Sequence, residues 1–244
     1  MYFSGQEPFL VLVDGGPAQA CENYDPLGEP DLEIKFSELK TPADALNFAN
    51  RFGLLGFAEE AWRLAYPELR RGLDESISDW LSEAGTASDV LTIWTAVQAN
   101  DRYGLRRIIQ RDDKNRAVAR FEGHRSYTIA GTGSDEKWLR PFKPQDVIGL
   151  AKIFLASAVN RSLRKSADVG VTLSSSLEFQ PRLTPINLLS AIWIRISEVL
   201  TGVRSLRPCE ICKGLIDVTN NRSHKRVHTK CSVKMRVRKW RENQ

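Results

Sequence analysis

The strongest constraint on this chain lies in its last stretch, Cys209 to Gln244. Cys209 and Cys212 form a C-x2-C pair there, and fifteen residues intervene before His228 and Cys231 form an H-x2-C pair. Two such pairs separated by roughly 10–20 residues suit a tetrahedral metal, because each pair grips from one tight turn and the loop can fold back. The expectation is one structural Zn2+ per chain, held by Cys209, Cys212, His228 and Cys231. His224 competes with His228 for its place, since both precede Cys231 on a short polar loop. A pairing of Cys231 with Met235 would still need a histidine, because a thioether is a poor zinc ligand. The ion reads as structural, as no His/Glu pair offers an open coordination position with a base beside it.

After Cys231 the chain has the pattern of a basic helix. Val233, Val237 and Trp240 fall at i, i+4 and i+7, while Lys234, Arg236, Arg238, Lys239 and Arg241 take the other faces. Ser232 is a candidate N-cap. The pattern predicts that the apolar stripe points inward and the charges outward. With Lys225, Arg226 and Lys230 on the preceding loop, several phosphates come within reach at once, and each neutralised phosphate releases counterions. Arg236 and Arg238 have the chemistry to read guanine in a major groove.

The stretch "CEICKGLIDVTNNRSHKRVHTKCSVKMRVRKWR" resembles the C-terminal zinc finger of the CGNR family. The matching pieces are Cys209, Cys212, Asp217, Thr219, Asn221, Arg222, Cys231 and Ser232, followed by the Arg/Lys run. The last cysteine of the family pattern falls on Met235, and the Gly-Asn-Arg signature is absent. The same stretch also looks like the small treble-clef or ribbon fingers that end many bacterial proteins. The resemblance covers about 35 residues, in keeping with the size of a small zinc module. It implies nucleic-acid binding and a role as a DNA-binding regulator, with DNA favoured over RNA. "TPADALNFANRFGLLG" resembles a segment found ahead of such fingers, which extends the likeness weakly into the body.

Composition agrees with a large unit carrying a small one. At 244 residues the chain can bury a sizeable core. The expected class is α+β: a mainly helical body over 1–202 with a few short strands, then the finger over 203–244 ending in its basic helix. From Thr201 onward twelve Lys/Arg face three acids, whereas the remainder carries 23 Lys/Arg and 27 acids. A basic end on a mildly acidic body suits a protein that brings one end to a polyanion. Of four cysteines three lie in the finger and Cys21 stands apart. That usage suits a metal rather than a disulfide framework, so a reducing, cytoplasmic setting is expected. No signal peptide and no membrane span of about 18 apolar residues is expected either.

Along the body, Phe9 to Val13 reads as a strand and Leu32 to Leu39, alternating apolar and polar, as a second that could pair with it. Thr41-Pro42 caps a helix that ends at Gly53. Separate helices are expected from about Ser76 and over Ala87 to Asn100. Leu105 to Arg111 reads as a basic turn. In "AGTGSD", Ala130 to Asp135, a hairpin turn is favoured over a phosphate loop, which would need Gly-Lys-Ser/Thr. His124 has no evident partner in sequence. Pro144 to Arg164 is a helix, Val171 to Leu183 a strand pair or one long strand. Ile186 to Leu200 is a helix capped by Thr184-Pro185 and closed by Gly202.

The body carries no motif of known chemistry. Sensing a ligand or forming a homodimer is its expected use. An enzyme, such as a nuclease or toxin-like effector drawing on Asp112 and Asp113, is the alternative, and no catalytic set is assigned. A third reading is a module whose finger binds protein and loses its metal on oxidation.

Overall fold

The computed structural model describes residues 3–4, 7–11, 25–56, 74–113, 116–121, 125–129, 146–173, 179–219 and 225–242. In chain order these form β1 (Phe3–Ser4), β2 (Glu7–Val11), α1 (Leu32–Ser37), α2 (Pro42–Phe52), β3 (Asp74–Ser76) and α3 (Ile77–Gln98). There follow α4 (Arg102–Ile108), β4 (Ile109–Arg111), β5 (Ala117–Arg120), β6 (Ser126–Thr128), α5 (Val147–Ser166), β7 (Ala167–Leu173) and β8 (Phe179–Pro185). Then come α6 (Leu188–Thr201), β9 (Leu206–Pro208), β10 (Leu215–Asp217) and α7 (Thr229–Glu242). The protein is α+β, with a mostly helical body, short antiparallel strands and a small Cys/His-bearing region at its C-terminal end.

The body core gathers around α6. Its run from Leu188 to Ile196 is buried on every side, and α6 packs on α5, α1 and α3. Two indoles at the centre, Trp80 and Trp193, are fully buried, and each donates its N–H to a carboxylate: Trp80 to Glu75 and Trp193 to Glu83, both at 2.7 Å. Burial of such rings is favourable only when the polar N–H is satisfied, and both are. Glu75 also accepts from the backbone N–H of Leu55 (2.9 Å) and Gly56 (2.5 Å), tying the turn after α2 to the start of α3.

Several expectations hold locally. Thr41 caps α2 in a reciprocal box with Asp44, Pro42 takes the first position, and Gly53 ends the helix at φ +90°. Gly202 closes α6 in the left-handed region, and β7 pairs with β8 as a hairpin over Ala167–Leu173 and Phe179–Pro185. Strand β2 lies between β1 and β3.

Three expectations are corrected. The stretch expected as a strand over Leu32 to Leu39 is instead the helix α1, Leu32–Ser37, with Glu38 as its C-cap. Its apolar residues Leu32 and Phe36 are also spaced i, i+4 and bury on one helical face, with Leu39 buried just past the helix end. The two helices expected around Ser76 and Ala87 are one, α3, running straight through Gly85. A glycine survives there because a Cβ would stand 2.6 Å from the Arg125 guanidinium, which crosses the helix to make two 2.9 Å bonds with Asp89. The cap of α6 is Asn187, boxed with Ser190, while Thr184 and Pro185 belong to β8. Ala130 to Asp135 and His124 lie outside the described residues.

Candidate metal centre

The C-terminal unit begins with a hairpin. β9 and β10 pair antiparallel, Leu206 opposite Asp217 and Pro208 opposite Leu215, and the loop between them carries Cys209 and Cys212. That loop is drawn tight: the N–H of Cys209 donates to Gly214 O at 2.8 Å, and the N–H of Lys213 donates to Cys209 O at 3.0 Å. Lys213 closes it in the left-handed conformation at φ 64°. Such a turn points both sulfurs to one side. From the other direction, α7 begins at Thr229, and the N–H of Ser232 donates to His228 O at 2.9 Å. His228 and Cys231 therefore stand at the helix start, one turn apart. Ser232 lies inside the helix rather than capping it.

The ligand atoms of Cys209, Cys212, His228 and Cys231 all lie within 4.8 Å of one another. The Cys212 sulfur is 3.3 Å from His228 Nδ1. Around one zinc, with Zn–S about 2.3 Å and Zn–N about 2.0 Å, adjacent S and N ligands stand about 3.6 Å apart. The four residues fit such an ion. The second histidine nitrogen, Nε2, lies 2.9 Å from Leu215 O and can only donate to it, which leaves Nδ1 as the lone pair facing the sulfurs. The sequence-predicted set is thus brought together; His224 lies outside the described residues.

Electrostatics of the bare cluster point the same way. Burial opposes ionisation of Cys209, but the backbone amides of Cys212, His228 and Ile211 outweigh it and bring the thiol down to about 6. Cys231 is pushed up to about 11, by burial first and then by the proton and charge it shares with Cys212 and Cys209. One thiolate forms readily and makes the next costly. A cation among them removes that opposition.

Among the described residues the unit has little else to hold it. Its separate apolar cluster consists of buried Cys209, Ile216 and Val218, with Val227 and Cys231 packed beside them. A core of this size does not fold a chain without a crosslink, a metal or a neighbour. Here a neighbour is present. Along β10 and the residue after it the chain alternates: Ile216 and Val218 face the small cluster, while Leu215 packs on the body core, as does Leu206 of β9. Asp217, on the body face, is ion-paired with Arg204, whose Nε lies 3.6 Å from Glu33 Oε1. Glu33 in turn accepts from Arg195 at 2.5 Å. This buried network of two acids and two arginines was not read from the sequence. Its signal was Arg195, the one charged residue in the buried run from Leu188 to Ile196 of α6.

The predicted phosphate contacts are distributed as follows. Lys230, Lys234, Arg236, Arg238 and Arg241 are exposed on α7, Lys225 is half-buried, and exposed Arg226 lies 3.5 Å from Glu210. Lys239 belongs to α7, and its side chain lies outside the described residues. The inward stripe is corrected: Val233, Val237 and Trp240 are 47%, 44% and 62% exposed. The small cluster ends at Cys231, so nothing of its size extends far enough along α7 to cover them.

Asp112, raised as a candidate for cleavage chemistry, is bound to Arg116 in the β4–β5 turn, with the Arg116 N–H and guanidinium both at 2.7 Å. No helix among the described residues is long and apolar enough to cross a membrane. No family model, curated protein or solved structure matches this chain.

Proposed function

We propose that Cys209, Cys212, His228 and Cys231 hold one structural Zn2+, and that the finger so formed binds nucleic acid, duplex DNA in preference to RNA, as part of a transcription regulator. The observation that carries this reading is the outward face of α7. The metal cluster grips only its first turn, and beyond it Lys234, Arg236, Arg238 and Arg241 project into solvent beside exposed Trp240. A helix of this charge repels itself and gains most by meeting a polyanion. The ion supplies a crosslink and no reaction chemistry. It fixes the start of α7 against the β9–β10 turn, so that the basic residues are presented as a rigid array.

The test is metal content and DNA binding in the same preparations of wild type and Cys209→Ser. One zinc per chain is expected, lost in the variant. Binding to a duplex should weaken steeply between about 50 and 200 mM salt, as for any protein making several phosphate contacts, and should vanish with the metal. Zinc without duplex binding would move the finger to a protein partner.

A further inference from the structure

Away from the finger, the body holds a cavity of about 340 Å3 between α3, β6, α5 and the beginning of α6. We propose that it binds a small organic anion with a flat apolar body, such as an aromatic carboxylate. This holds or fails independently of what the finger binds.

Its size falls at the lower end of small-molecule sites, roughly 300–1,000 Å3, and its lining sets apolar residues beside a larger number of polar ones. The floor includes Phe154 and Tyr127, whose rings meet edge-on at 5.4 Å, with Ile129 and Leu189 beside them. That shape accepts a planar ring, since aromatic neighbours favour stacked or edge-on contacts.

The polar groups are set in advance. The Tyr127 hydroxyl donates to Asp89 Oδ2 at 3.1 Å and lies 3.2 Å from Thr86 Oγ1. Burial raises its pKa, so it stays a neutral phenol. Asn187 is fixed twice, accepting from the Ser190 N–H at 2.8 Å and donating to Gly56 O at 3.3 Å. The carboxylate of the lining, Glu83, already accepts from the buried Trp193 indole. The cation is differently placed. Arg161 stands at the mouth one helical turn beyond Ser157, both exposed on α5, and no ion pair among the described residues engages it. The first turn of α6, whose N–H groups are the positive end of its dipole, adds to the same sign of potential. The guanidinium at the rim opposes the single Glu83 carboxylate of the lining, and a ligand whose own carboxylate meets Arg161 is favoured over the neutral or cationic analogue of the same shape.

The test titrates the full chain with 2-naphthoate, 2-naphthamide and 2-naphthylmethylamine, following amide shifts by NMR. Saturable binding of naphthoate, at least tenfold tighter than of the amide and tighter still than of the amine, is expected, with shifts centred on β6 and the Phe154–Arg161 face of α5. Arg161→Gln should remove the preference for naphthoate, Arg161→Lys should restore part of it, and Ser157→Trp should block all three probes. Both positions are exposed, so thermal melts should stay near wild type. Absence of saturable binding at millimolar probe overturns the proposal. So do equal affinity for the acid and the amide, a preference untouched by Arg161→Gln, or shifts confined elsewhere.

Discussion

The Nε2 atom of His228 lies 2.9 Å from the carbonyl oxygen of Leu215, and that one contact decides which face of the imidazole meets the sulfurs. Loss of an outer partner of this kind typically costs 10–100-fold in metal affinity, and loss of the ligand itself costs more. His228→Ala should therefore weaken zinc binding by more than about 100-fold. His224→Ala should leave it within about twofold, because the four ligands are complete without it. Competition against a chromogenic chelator measures both. The opposite ranking would give the fourth place to His224.

Removing the metal should expose a pH dependence that the loaded protein lacks. In the bare cluster Cys209 titrates near 6, below its ordinary 9.0, so its contribution grows as pH rises from about 6 to 9 and the unfolded thiol still holds its proton. Cys231 titrates near 11, so its contribution is lost as pH climbs from about 9 to 11. The melting temperature of the chelated chain should pass through a maximum near pH 9. With zinc bound, both sulfurs are thiolates throughout and that maximum should flatten.

Glu33 is fully buried between Arg195 and Arg204. Truncating one member of a buried ion network leaves charge with no counter-charge, at about 3–5 kcal/mol. Glu33→Ala should lower the urea midpoint accordingly. Exposed Glu210, 3.5 Å from Arg226, is the control, and Glu210→Ala should cost under about 1 kcal/mol.

Acid should loosen the same junction. Burial acts to raise the Asp217 pKa, but the Thr219 hydroxyl and N–H, with Arg204 beside them, hold it below the usual carboxylate range. A depressed pKa contributes stability above about pH 4 that is lost as pH falls through the folded value. Asp217→Asn should flatten the acid limb of the stability curve while lowering the plateau at neutral pH.

Gly56 sits at φ +89°, and a Cβ there would be 2.5 Å from the Asn187 Cβ. Gly56→Ala should cost about 2–4 kcal/mol from backbone strain and displacement of the α6 cap together. Gly53, at φ +90° with open space around it, should cost only the strain, about 1–3 kcal/mol. Denaturant unfolding of the two variants separates the effects.

What could be read in the sequence was what is encoded over short distances. The two ligand pairs bring four residues to one point because each half is fixed by a local turn, and the Thr41 box and Gly202 stop work within four residues. Leu32 to Leu39 was misread because its apolar spacing satisfies both periods, and burial in the core decided between them. The stripe on α7 looked like an inward face because the pattern does not say how much core is available to receive it. The Arg195–Glu33 contact spans 162 residues, and the cavity is assembled from four separate elements, so neither leaves a local pattern.

The alternation along β10 has an evolutionary consequence. A strand whose odd residues serve the body and whose even residues serve the finger cannot be exchanged as a cassette. A recombination point placed at Gly202 would hand the recipient a finger with Leu206 and Leu215 facing nothing made for them and with Arg204 parted from Glu33. It would leave the donor with Glu33 and Arg195 short of the Arg204–Asp217 pair. Fingers of this type should therefore be inherited together with their bodies, and chimeras should fold only when α1 and α6 travel with the metal site.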